Sequence, residues 1–395
     1  MAFLHHGLPQ MKLSAVWDPK QQQPVQVTQT GRDQIKLLRN MLGRLNICSR
    51  EYIIRQYDHE VQGGSVVKPL TGALQDGPSD AAVIRPVVDK DTGLVVSNGL
   101  CARYSDLDAY WMMANAVDEA VRNAVAVGGN LRHMAGVDNF CWCDPVQSDK
   151  TPDGEHKLAQ LVRANQALAH FCLAFGVPCI SGKDSMKNDY TIDQYKISIP
   201  PTVLFSVISV IPDVNMCCTS DLKQPGDILY LLGRTGKELG GSELVSELGL
   251  TGGFVPQVDV LSARERYLAL YAAFGRGLIS ACHDLSDGGL GVAAAEMCIG
   301  GNLGADLDLD MIPVCGQEVY APEEILYTET PSRLLVSVPQ DKVQAFEGLF
   351  AGQCLGRVGQ VRAEPGLVVH WGGDRVLRDE VAELRKAWQG TFLGF

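Results

Sequence analysis

The chain lacks the marks of several large protein classes. Its 12 cysteines include no C-x-x-C pair: Cys141 and Cys143 are spaced C-x-C, and Cys217 and Cys218 are adjacent. Structural zinc spacing is therefore absent, and most of the thiols are expected to be small core residues. MAFLHHGLPQ has no basic stretch ahead of an apolar one, so no secretory pattern opens the sequence, and reduced cysteines in a cytoplasmic setting are expected. No apolar run approaches the roughly 20 residues that a membrane helix needs. The longest, Val203 to Ile211, is stopped by Pro200-Pro201 and by Pro212. Basic residues are in deficit, 34 against 46 acidic, for a net charge of −12. Such a surface repels phosphate backbones and anionic lipid, so neither nucleic acid nor membrane is an expected partner. Neither a G-x-S-x-G nor a G-x-C-x-G elbow occurs, which argues against nucleophilic catalysis.

What is present is a chain of 395 residues, 46% hydrophobic and 20% charged, enough for two or three domains with a substantial core. Residues 1–49 read as a polar approach segment carrying one short helix, Arg32 to Leu45. Residues 50–215 read as a first α/β unit. SDAAVIRPVV and TGLVVSNG are strand-like, and Asp106 to Val127 is a long helix with Ala114, Val117, Val121, Ala124 and Val125 on one face. Glu119 and Asn123, spaced i,i+4, share the opposite face. Lys157 to Phe175 is a second helix, with Leu158, Leu161, Leu168, Cys172 and Phe175 together and Gly176 placed to end it. Val177 to Ser181 then reads as a buried strand. A second unit covers residues 220–395, with strands in PGDILYLLG and PSRLLVSVP and helices at GGSELVSELG, Ala263 to Gly275, and after HDLSDGG.

Four stretches could carry chemistry. The loop Ser181-Gly182-Lys183-Asp184-Ser185 has a glycine, a lysine and a hydroxyl after a strand, which suits a phosphate. It fails the P-loop pattern twice, because Gly176 is one residue too far upstream and Asp184 stands where Ser or Thr should follow the lysine. In Cys282-His283-Asp284-Leu285-Ser286-Asp287-Gly288-Gly289, acidic groups before a helix could hold Mg²⁺ while glycine amides face phosphate; the same residues also suit plain helix capping by Ser286 or Asp287. Glu119 with Asn123 can share a cation or be an ordinary surface pair. Val137 to Asp144 reads as an acidic, aromatic loop that could border a nucleotide, or simply pack around Trp142.

Taken in order, QYDHEVQG (56–63), DEAVRNAVAVGG, SGKDSM, the Pro200-Pro201-Thr202 turn, LGGSE, HDLSDGG and YTETPSR resemble the second half of the phosphoribosylformylglycinamidine synthase family, over about residues 50–390. HDxSDGG also occurs across the wider aminoimidazole ribonucleotide synthetase superfamily. The resemblance implies an α/β and α+β two-domain unit whose first sheet forms half of a barrel at a dimer or pseudo-dimer interface. It implies an ATP- and Mg²⁺-dependent ligase of purine biosynthesis, in which formylglycinamide ribonucleotide is phosphorylated on its amide oxygen and ammonia displaces phosphate. Carried over, Asp138, Gly182 and Lys183 look like ATP contacts and Ser185 a substrate contact. Glu119, Asn123, Asp284 and Ser286 look like an auxiliary nucleotide and metal site. The family's first aspartate of that site aligns with Gly99, which would leave the metal cluster short of one acid. No S-H-N-H-P motif, the family's catalytic histidine, occurs in this sequence. The expectation is a C-terminal synthase half that needs an N-terminal half and a separate glutaminase for turnover, with homodimerisation when isolated. The alternatives are a non-catalytic scaffold half or another synthetase of the superfamily.

Overall fold

The computed structural model describes residues 5, 7, 11–29, 31–193, 195–316 and 320–394. His6, half of the His-His pair near the start, lies outside them. A short helix, α1 (Gln34–Leu42), begins at Asp33, whose side chain accepts from Lys36 N. Its Leu37, Leu38, Met41 and Leu42 are buried in the core of the C-terminal unit. The stretch before it is a strap. Val16 N bonds to Glu155 O and Gly253 N to Gln23 O, and the Arg163 guanidinium lies 4.5 Å over the Trp17 ring.

The first unit is a six-stranded sheet. Its strands are β1 (Ser65–Val67), β2 (Ala82–Ile84), β3 (Gly93–Gly99), β4 (Met134–Cys141), β5 (Cys179–Ser185) and, after a separate hairpin of β6 (Asp189–Ile192) and β7 (Tyr195–Ser198), β8 (Thr202–Ile211). Their order is β1-β2-β3-β8-β4-β5. Every neighbour is antiparallel except β4 and β5, which run parallel. Helices α2 (Ala109–Ala126) and α3 (Gly154–Phe175) cover one face. The period-2 alternation of β8 is the reason: Val203, Phe205, Val207, Ser209 and Ile211 are buried under the helices, while the residues between them reach the open face.

The second unit is a seven-stranded mixed sheet. It comprises β9 (Ile228–Leu232), β10 (Ala281–Asp284), β11 (Gly304–Asp308), β12 (Leu334–Val338), β13 (Leu355–Arg362), β14 (Gly366–Trp371) and β15 (Asp374–Glu380). Their order is β10-β12-β9-β13-β11-β14-β15. β9 and β12 are buried on both sides and apolar except for Ser337, whose hydroxyl donates to Asp227 (3.1 Å), as strands covered on two faces must be. The helices include α4 (Glu243–Glu247), α5 (Val260–Gly275), α6 (Gly289–Gly301) and α7 (Val381–Gly390), with two further short ones at Pro322–Tyr327 and Val343–Leu349. Among the described residues no helix is long and apolar enough to cross a membrane.

Several sequence expectations change. Ser181–Ser185 is not a loop but the body of β5, and Val137–Cys141 belongs to β4. β5 is not buried: it is an exposed edge strand. On α3 the buried face is Ala159, Ala164, Ala167, Phe171, Cys172 and Phe175, while Leu158, Leu161 and Leu168 are only half-buried. Gly176 does end that helix, at φ 75°. His283 and Asp284 close β10 rather than lying in a loop. The cap of α6 is Gly288 at φ 78°, with no side-chain cap from Ser286 or Asp287.

Candidate functional site

The cleft between the two units is built from the end of β3, the middle of α2 and the β10–α6 turn. Two cavities meet there. One, of ≈450 Å³, is lined by Cys101, Arg103, Tyr104, Glu243 and Asp287 among others. Its neighbour, of ≈520 Å³, is walled by Ile47, Ile54, Leu70, Ala82 and Val96, with Asp80 and Glu296 at one side. Asn46, Arg50 and Asn98 line both. The cleft thus joins a polar lobe to an apolar one, the division a nucleotide requires.

α2 delivers Glu119 and Asn123 to this cleft, not to bulk water, since nearly every other side of the helix is buried. Glu119 Oε2 accepts from Leu100 N (2.8 Å) and from Cys101 Sγ (3.4 Å). Burial, with Asp287 and Asp284 nearby, pushes its carboxyl up to about 8 against the pull of Arg122. Asn123 Nδ2 donates to Asn98 O (3.1 Å), and its Oδ1 is buried without a partner. Asp284, at the end of β10, accepts from Arg122 Nε (3.1 Å) through Oδ2. Arg122 also pairs with Asp118, which takes the Tyr267 hydroxyl (2.7 Å) and Ser332 N (3.0 Å). Ser286 is half-buried on the following turn, where its carbonyl accepts Gly289 N (3.0 Å).

Position 99 has no room for the acid that the resemblance places there. A Cβ on Gly99 would lie 2.1 Å from Ala116 O and 2.8 Å from Ala120 N, so the packing of β3 on α2 admits only glycine. The further carboxylate is Asp80, just ahead of β2. Its Oδ1 is 2.6 Å from His283 Nδ1, and its Oδ2 is buried and unpartnered. Burial raises Asp80 to about 6, opposed by His283. Burial works against charge on His283, but Asp80 and Glu296 (3.1 Å) outweigh it and hold its pKa well above the usual value. Asp80, His283 and Asp284 present ligand atoms within 4.8 Å of one another. Asp80, Arg122 and Glu296 escaped the sequence reading because single acids and arginines carry no spacing signal.

Glu329, in YTETPSR, is a further residue the sequence did not single out. It accepts from Glu243 N (2.8 Å), Gly288 N (3.0 Å) and the Tyr104 hydroxyl (2.9 Å), stapling α4, α6 and the 102–106 turn around the polar lobe. Burial lifts it to about 7, although those three donors favour its charge.

The other four expected contacts lie apart, on β4 and β5. Register pairs Asp138 with Gly182 and Asn139 with Lys183. A Cβ on Gly182 would be 2.8 Å from both Asp138 oxygens, so the glycine is what lets the carboxylate lie over β5. Burial raises Asp138. Strand alternation sends Lys183 and Ser185 to the open face, opposite Asp138 and Gly182. Ser185 Oγ donates to Asn188 Oδ1 (3.1 Å). The two groups of expected residues are separated by β8 and do not form one site.

The profile for the N-terminal domain of AIR synthase related protein matches residues 78–202, and that for its C-terminal domain matches 224–372. The chain belongs to this family. Within it, the chain is homologous to about half of PurL, the phosphoribosylformylglycinamidine synthase subunit. It is 33% identical to the Thermococcus kodakarensis subunit, covering 86% of this chain and 44% of that one. With the Thermoplasma acidophilum subunit the identity is 29%, covering 92% and 46%. The chain therefore spans less than half the length of these curated relatives. The solved structure of T. maritima PurL complexed with FGAR matches at a TM-score of 0.68 and 20% identity, over 90% of this chain and 54% of that one. A HypE–HypF complex chain matches at 0.56 and 16% identity. At such identities these structures speak for the two-domain fold, not the chemistry.

Proposed function

We propose that this chain is one half, the C-terminal half, of an ATP-dependent ligase that converts formylglycinamide ribonucleotide and ammonia to the amidine. The observation that carries the reading is the pair of buried, unpartnered acceptors, Asp80 Oδ2 and Asn123 Oδ1, in a cleft where carboxylates crowd together. Buried acceptors without a donor are costly, and a hard cation satisfies them. Mg²⁺ fits this oxygen-rich set. Asp80 and Asp284, whose ligand atoms lie within 4.8 Å of one another, would hold it, with Glu119 and Asn123 further along α2, and it would supply neutralisation of phosphate charge. Arg122 and His283 each occupy one oxygen of Asp284 and Asp80, fixing both carboxylates and leaving Asp80 Oδ2 without a partner. Arg50 and Arg103 stand along the same walls for phosphate oxygens, and the apolar lobe suits a base. ATP-bound and AMPPCP-bound T. maritima PurL share the fold. Asp138 and Gly182, with Lys183 and Ser185 on the other face, are assigned to a composite site shared with the N-terminal half.

The open face of the first sheet supports that partnership. Ile84, Val96 and Val210 expose 39%, 41% and 48% of their surface there. An uncovered apolar sheet face calls for a second sheet, here that of the N-terminal half or, in isolation, of another copy. A glutaminase is assigned as a further partner; T. maritima PurL also occurs in a PurLQS structure. The alternative is a non-catalytic scaffold half, which Gly99 favours by standing where the family has an acid, and which Asp138 and the Gly182-Lys183-Asp184-Ser185 stretch oppose. Phosphate release with formylglycinamide ribonucleotide, ATP and ammonium separates the two. The chain alone is expected to be silent and to gain turnover with an N-terminal half, which Asp138→Asn abolishes. Turnover by the chain alone contradicts incompleteness; turnover indifferent to Asp138→Asn supports the scaffold.

A further inference from the structure

The C-terminal unit holds a cavity away from the cleft, of ≈420 Å³, between the turn after β9, the start of α5 and the Thr330–Ser332 segment ahead of β12. Two guanidiniums line it. Arg234 is exposed and, among the described residues, makes no ion pair or hydrogen bond. Arg266 is 7% exposed; its Nη1 donates to Ser332 O (2.7 Å), its Nε has no partner, and no carboxylate pairs with it among the described residues. The acids in the lining are engaged elsewhere. Glu238 is folded over Gly236 and takes the Thr330 hydroxyl (2.9 Å), and Asp259 caps α5, accepting from Ser262 N and Oγ. Glu265 stands exposed at the rim. Asp259, held below the usual carboxylate range by Ser262 and in part by Arg266, is a counter-charge to Arg266 but does not touch it, so the buried guanidinium keeps an unpaired donor, which is expensive. An oxyanion would satisfy that donor, with the exposed Arg234 on its other side.

We propose that this cavity is a second ligand site, taking a small oxyanion, a phosphate or carboxylate group, between Arg234 and Arg266. Charge-assisted hydrogen bonds from two guanidiniums are the strongest recognition such a group meets in a protein. The rim carboxylate of Glu265 favours a compact anion over a polyphosphate chain.

The site is joined to the cleft by one residue. Ser332 has φ 62°, in the left-handed region that a non-glycine residue occupies only when held there. It is held from both sides: its carbonyl accepts from Arg266, while its N (3.0 Å) and Oγ (2.8 Å) donate to Asp118. Asp118 in turn holds Arg122, and Arg122 holds Asp284. An anion that draws Arg266 toward the cavity therefore acts on the backbone that positions Asp118. Occupancy is coupled to nucleotide affinity, a consequence that rests on the cleft reading, whereas the oxyanion site itself does not.

The test is calorimetric titration of the full chain with inorganic phosphate and, separately, with succinate, before any nucleotide is added. Saturable binding of phosphate alone identifies a phosphate group as ligand, and of succinate alone a carboxylate. Binding of neither overturns the site. Arg234→Gln changes an exposed, unpaired side chain, so it is expected to leave the fold and the Mg-ADP affinity intact while weakening the anion at least tenfold. Equal anion binding by Arg234→Gln overturns the assignment. Mg-ADP titrations with and without saturating anion then read the coupling. A change in affinity of several-fold is expected, and it disappears in Arg234→Gln, as reciprocal linkage requires. An unchanged affinity removes the coupling and leaves the site.

Discussion

At position 99 there is no room for a side chain. An alanine Cβ would meet backbone atoms of α2, which cannot step aside without moving the helix. Gly99→Ala is expected to destabilise the chain by about 2–4 kcal/mol, in the range of severe overpacking, read as a lowered midpoint in denaturant. Gly182→Ala meets a carboxylate instead of backbone. Asp138 can turn away, so a loss below about 1 kcal/mol is expected, with Asp138 displaced. Glu329 makes a prediction in pH. Its folded pKa, about 7 against an ordinary 4.5, is raised. The stability it contributes is complete below pH ~4.5, declines as pH rises toward 7 and is flat above. Glu329→Gln keeps an oxygen for the amides of Glu243 and Gly288 and has no proton to lose. Unfolding free energies measured from pH 5 to 8 are expected to show a shallower decline in the variant, and an identical slope contradicts the burial argument.

Among the elements, α2 was legible in the sequence because its apolar positions recur at helical spacing for 18 residues. β8 was legible through a run of branched residues between prolines. β5 was misread because Gly, Lys, Asp and Ser are turn formers locally; its strand form comes from pairing with β4, and a parallel edge pairing leaves no period in the sequence. The cleft was half legible. Glu119, Asn123 and Asp284 could be carried over from motifs, but the contact of Asp80 with His283 spans 203 residues and only the packing of the first unit on the second creates it. Lys183 is exposed on β5, so Lys183→Ala is expected to leave thermal stability unchanged while reducing turnover of a reconstituted synthase. Unchanged turnover would remove Lys183 from the site.

For the molecule as a whole, the two units share one continuous apolar core, in which Phe175 stacks on Tyr267, with the charged groups around Arg122 and His283 set beside it, while the open face of the first sheet leaves Ile84 and Val210 exposed. Val210 lies on that face, outside the cleft, and is 48% exposed. Val210→Glu is expected to leave the isolated chain folded and monomeric in sedimentation and to weaken association with an N-terminal half. Association equal to that of the unsubstituted chain would place the interface elsewhere. The central claim is that the cleft between the units holds a Mg-nucleotide on Asp80 and its neighbours. Calorimetric titration of the chain with Mg-ATP, set beside Asp80→Asn, tests it most directly. Saturable binding that depends on Mg²⁺ and falls at least tenfold in Asp80→Asn is the predicted result. A folded chain that gives no heat, or a variant that binds as well as its parent, contradicts it.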